Sequence, residues 1–106
     1  MKDLLDILKE TKLDNRVRLG MMSILVVNEW VEFKRLKQEL GLSDGNLASH
    51  VKALEREDYI DTKKEFVGKK PQTSYRATDA GRLAFQTHLN ALEELLKLTS
   101  PPDETA

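Results

Sequence analysis

Three observations make this chain a mainly α domain with one small β-hairpin. Apolar residues recur at helical spacing in five separate stretches. Period-two alternation is confined to two runs, 60–66 and 73–77, on either side of Gly68 and Pro71. And 106 residues supply one core, not two.

Taken in order, Leu4, Leu5, Ile7 and Leu8 form the stripe of a short amphipathic helix over 2–12. Asp14 stands where it can cap a second helix over 15–28. Its Val17, Leu19, Met21, Met22, Ile24, Leu25 and Val26 cover most faces, which marks the central core helix. Trp30, Val31, Glu32 and Phe33 make a short β-prone link. Leu36 and Leu40 lie four apart on a helix over 34–40, which Gly41 ends. Ser43 caps a helix over about 44–57, and Leu47, Val51 and Leu54 give it one apolar face. Ile60, Thr62, Lys64 and Phe66 share a face of the first strand, as Thr73, Tyr75 and Ala77 do on the return, with 67–72 as the turn. Thr78 caps a last helix running over about 79–98. Residues 1–98 therefore read as a single domain, and the Pro- and acid-containing segment 99–106 as a disordered tail. Two short helices around a glycine turn, followed at once by a hairpin, is the layout of a winged helix-turn-helix.

The net charge of −1 conceals a strong asymmetry. Residues 1–33 sum to −1, residues 34–76 to +3 and residues 77–106 to −3. A basic middle between acidic flanks points to a local polyanion-binding surface. The absence of cysteine removes disulfides, thiol catalysis and thiolate metal sites, and fits a cytoplasmic protein. The longest apolar stretch, 24–27, is far short of the roughly 20 residues that cross a bilayer, so no membrane partner is expected. Nor does the acid-containing start read as a secretory signal.

The run LKQELGLSDGNLASHVKALEREDYIDTKKEFVGKKPQTSYRATDAGRLAF resembles winged helix-turn-helix transcriptional regulators of the MarR and ArsR groups. It is most similar to a compact MarR-like subfamily with the pattern LGLSDGNLSxHLxxLExxGYI, a basic wing, and a closing TxxGRxAF. The resemblance covers about residues 13–90. It departs at Ala48, where many relatives carry serine, at Lys69–Lys70, where a Gly-Arg pair is common, and at Asp58, where glycine is usual and a left-handed backbone is therefore expected on an aspartate. The resemblance implies a DNA-binding regulator, more specifically a repressor.

Major-groove recognition needs the outer face of helix 44–57 and cations for phosphates. Ser43, Asn46, Ser49, His50 and Lys52 are the expected contacts there, although Ser43 serves equally as a plain N-cap and His50 as a surface histidine. Arg56 is expected to pack or to pair with a nearby glutamate instead of reading DNA. In the wing, Lys63, Lys64, Lys69, Lys70 and Arg76 are opposed only by Glu65 over 63–76, which suits phosphate neutralisation. Gly41, Gly45 and Gly68 are read as turn residues.

Phe85, Leu89, Leu92 and Leu96, spaced 4, 3 and 4, form a coiled-coil-like seam on the last helix. With Leu4, Leu5 and Leu8 it is expected to make the interface of a homodimer on double-stranded DNA, so that dimerisation helices flank the winged helix at both ends; the alternative is that the seam packs only within the chain, on the amino-terminal helix. The rival reading is a winged-helix protein-interaction module without specific DNA binding. His50 and His88 lie in different helices without metal-ligand spacing, and Glu93–Glu94 point apart, so no metal, cofactor or catalytic residue is expected. No residue pattern identifies a small-molecule effector.

Overall fold

In the computed structural model, which describes residues 2–99, side-chain oxygens open four of the five helices. Asp3 caps α1 (Leu4–Glu10), Asn15 caps α2 (Arg16–Leu25), Ser43 caps α4 (Asp44–Arg56) and Thr78 caps α5 (Asp79–Lys97). Only α3 (Phe33–Leu40), entered directly from the strand β1 (Val31–Glu32), lacks such a bond. Gly41 closes α3 in the left-handed region at φ 63°. The hairpin strands are β2 (Ile60–Val67) and β3 (Lys70–Ala77). All three strands are antiparallel in the order β1-β3-β2.

The architecture is the expected mainly α winged helix, with four local corrections. The first helix spans 4–10 instead of 2–12. The second is capped by Asn15 instead of Asp14. Lys12 takes a left-handed φ of 63° and Leu13 is fully buried, so the chain turns into the helix one residue later. That helix stops at Leu25 instead of 28, and side-chain donors take two carbonyls at its end: Asn28 Nδ2 to Ile24 O in the last turn and Arg82 Nη1 to Val26 O at the cap. Finally, Val67 pairs with Lys70, which leaves the two-residue turn Gly68–Lys69 in place of 67–72. Gly68 at φ 66° followed by an ordinary residue fits the II′ hairpin turn, whose first central position favours glycine. Of the expected tail, only Thr99 lies within the described residues.

The core gathers Leu13, Met21, Met22 and Leu25 from the α2 side, Leu36 from α3, Leu47 and Leu54 from α4, and Val31 and Tyr75 from the sheet. It is tightest where α5 begins. Asp58 adopts the expected left-handed φ of 59°, and its carbonyl accepts the Thr78 hydroxyl at 2.6 Å. The Tyr59 carbonyl accepts the Thr78 N–H, and a Cβ on Gly81 would lie 2.2 Å from that oxygen. Only glycine permits this approach. The far side of α5 holds α1 through His88, whose Nδ1 is 2.7 Å from Thr11 Oγ1. Tyr59 adds a bond from its hydroxyl to the Thr11 carbonyl. Among the described residues no helix is long and apolar enough to cross a membrane.

Candidate nucleic-acid interface

The buried stripe Leu47, Val51 and Leu54 fixes the rotation of α4 and so decides what it turns outward. Gly45, Asn46, Ser49, Lys52 and Arg56 are all exposed. Ser43 Oγ accepts the Asn46 backbone N–H at 3.2 Å, so it caps the helix while its own proton remains available to donate. Asp44, the acid in the first turn, is paired to Lys37 at 2.9 Å, which offsets negative charge at the entry of the helix. Gly45 is not a turn residue, contrary to expectation. It lies inside α4 without a positive φ, and a Cβ there would meet nothing within 4 Å.

His50 does not share the outer stripe. It is half-buried on the flank, with Nδ1 3.4 Å from Arg18 Nη1 of α2. Burial, then the Arg18 charge, push its pKa below the ordinary imidazole value, so it is neutral at pH 7. Arg18 itself is aimed by a 2.9 Å bond from Nε to the Lys12 carbonyl. Lys12, Arg18 and Arg56, with Glu57 as the one acid among them, line a cleft of about 230 Å³ beside α4. Sequence reasoning missed Arg18 because it sits in a segment whose charges nearly cancel. Arg56 makes no ion pair among the described residues, against the expectation that a glutamate would hold it.

The hairpin register sorts the five wing cations onto different surfaces. Lys63 and Arg76 face outward from the core and lie over the Trp30 ring, 4.4 and 4.7 Å from its centroid. Glu65 and Asp61 sit beside them at 3.8 and 3.2 Å. Lys64 lies on the opposite face, the one from which Ile60, Tyr75 and Ala77 enter the core and Thr62 hydrogen-bonds Glu55 of α4. Lys69 and Lys70 occupy the turn and its exit. Lys64, Lys69 and Lys70 are thus exposed and make no ion pair among the described residues, whereas Lys63 and Arg76 brace the root of the wing.

The seven leucine and phenylalanine positions expected at a dimer interface divide as well. Leu4, Leu8, Phe85 and Leu92 are half-buried within the chain, where α1 packs on α5. Leu5 is 70% exposed and Leu96 67%, and Leu89 is also accessible. Leu83, 70% exposed, joins them beside a cleft of about 430 Å³ lined by Ile7, Thr11, Tyr59, Ala80 and Ala84. It lies off the 4-3-4 seam, which is why spacing did not reveal it.

Comparison with known proteins agrees with this geometry. The winged helix DNA-binding domain family matches residues 17–96. A Methanocaldococcus jannaschii protein, MJ0432, is 36% identical over 81 residues, covering 76% of this chain and 88% of its own. The solved transcriptional regulator homologue from Pyrococcus horikoshii superposes with a TM-score of 0.84 at 32% identity, over 95% of this chain and all of that one. M. tuberculosis MOSR, solved in complex with DNA, shares the fold at a TM-score of 0.67 and 12% identity, over 89% of this chain and 68% of its own. With every helix and strand but α1 matched to within a residue of its ends, the chain belongs to the winged helix DNA-binding domain family.

Proposed function

We propose that this protein is a homodimeric, sequence-specific double-stranded DNA-binding transcriptional regulator of the cytoplasm, acting as a repressor, with residues 1–98 as its single domain. It binds; it does not catalyse. The observation that carries the reading is the bare outer stripe of α4, where Gly45, Asn46, Ser49, Lys52 and Arg56 have no packing role. Asn46 and Ser49 offer short hydrogen-bonding groups to base edges, and Ser43 a hydroxyl to a phosphate. Lys64, Lys69 and Lys70 extend the contact to the flanking backbone or minor groove, where lysine neutralises phosphate without reading sequence. Arg18, Lys12 and Arg56 add a second basic strip on the other flank of α4.

The exposed Leu5, Leu83, Leu89 and Leu96 favour a second copy against α1 and α5. Two-fold symmetry would then present two α4 helices to half-sites about 10–10.5 bp apart. The test is selection of duplexes from a random pool near physiological salt, with the solution mass measured alongside. Enrichment of an inverted repeat with that spacing, bound by a dimer, is expected. Binding that shows no sequence enrichment and vanishes as salt rises would refute specific recognition and favour the protein-interaction module.

A further inference from the structure

Phe66 is 74% exposed, although it belongs to the face of β2 that, further down, packs into the core. A large aromatic left bare on a small domain is more informative than an exposed leucine, because burying such a ring is ordinarily among the most favourable contacts a fold can make. Its cross-strand partner is Pro71, and the two line a hollow of about 250 Å³ with Lys64 and Thr73. Val67, next along, is 57% exposed. The patch stands one residue pair from the Gly68–Lys69 turn, so it travels with the tip of the wing. It is on the sheet face that reaches α4 through Thr62 and Glu55. Lys64 shares the face of Phe66 and Lys69 lies in the turn beyond it, while Glu65, which Lys63 pairs at 3.8 Å, also lines the hollow, and Lys70 projects with Val67 to the other face.

We infer that Phe66, backed by Pro71, is an apolar wedge for the DNA minor groove, and that the wing bends the duplex it binds. The inference rests on the DNA-binding reading above and adds a mode of contact to it. Charge selects the occupant: an apolar protein surface gains nothing from Lys64 and Lys69 beside its target, whereas a groove walled by phosphates does. Minor-groove proteins use apolar side chains between or against base steps in this way, which unstacks a step and kinks the helix by roughly 20–90°. The II′ turn narrows the tip to two residues, one of them glycine, and the ring follows immediately behind. Lysines fasten the wing to the backbone, and the ring does the work of deformation. Sequence preference then arises at flexible pyrimidine–purine steps that no side chain reads directly.

Because the ring packs on little within the chain, Phe66→Ala should fold as the unaltered protein does, and its thermal midpoint checks this. The measurement is energy transfer between dyes at the two ends of a duplex recovered by the random-pool selection. The unaltered protein should shorten the end-to-end distance. Phe66→Ala should abolish most of that change and weaken binding about tenfold while the slope of affinity against salt stays the same. Phe66→Leu should restore much of the bend, whereas Lys69→Ala/Lys70→Ala should flatten the salt slope and leave the bend. Equal bending by the unaltered protein and Phe66→Ala overturns the wedge but not DNA recognition. Failure to recover any bound duplex overturns both. Loss of the dimer in Phe66→Ala also overturns the wedge and assigns the ring to contact with a second copy.

Discussion

Gly45 and Gly81 occupy the first turns of α4 and α5, two helices that begin alike. Ser43 and Thr78 each accept the N–H three residues ahead, and an acid follows each cap. There the likeness ends. A methyl on Gly81 would drive into the Tyr59 carbonyl and the Met22 side chain, at 2.2 and 2.9 Å, whereas one on Gly45 would meet open space. Glycine costs a helix roughly 0.5–1 kcal/mol relative to alanine. At Gly81 close packing with the core repays that cost. At Gly45 nothing among the described residues does, and the open surface there belongs to the interface proposed above. One helix start is packed against the core, the other is bare.

Substitution sharpens this contrast. The largest effect is expected for Gly81→Ala, which overpacks against backbone that cannot yield and should cost about 3 kcal/mol, read as a fall in urea midpoint. Survival of full stability would mean that α5 can shift outward and that the seam is looser than its distances imply. Next comes Asn46→Ala, expected to lose roughly 1–3 kcal/mol on the selected duplex and much less on random DNA. Equal loss on both would remove Asn46 from base reading. Gly45→Ala should move two measurements in opposite directions. Stability should rise by about 0.5–1 kcal/mol, and affinity for DNA should fall as the added methyl blocks close approach. A stabilised variant that binds DNA undiminished would leave the glycine without a purpose at the interface.

The mildest expected effect concerns pH. Burial holds His88 below the ordinary imidazole pKa, with the Asp14 charge opposing more weakly, and burial and Arg18 lower His50. The unfolded chain therefore takes up protons first, near pH 6.5, and stability should decline as pH falls below that value. Above it the full stability is present. Urea midpoints from pH 8 downward should show the decline, and a shallower one in His88→Asn, since that variant removes the imidazole that binds Thr11.

Much of this was legible in the sequence wherever short-range chemistry decides. Ser43, Thr78 and Gly41 terminate helices as their residue types imply, and the alternation of Ile60, Thr62, Lys64 and Phe66 is the register observed. What escaped depends on long-range packing. Periodicity assigns Lys63 and Arg76 to a face but does not reveal that Trp30, from the other edge of the sheet, lies under both. Spacing assigns His50 to the outer stripe with Asn46 and Ser49, yet the placement of α2 makes it a half-buried contact with Arg18 on the flank. Gly45 escapes because sequence alone does not distinguish a glycine that bends the chain from one inside a helix on an open surface. Leu13 shows the same limit: a single leucine in a loop has no period, and here it is fully buried.

Trp30 is the chain's single tryptophan. The unlabelled protein therefore carries an optical gauge at the root of its wing. Any tilt of the hairpin that draws Lys63 or Arg76 off the indole changes the field across the ring and with it the colour and yield of its emission. Rapid mixing with DNA followed at tryptophan wavelengths would time the wing's arrival separately from that of α4.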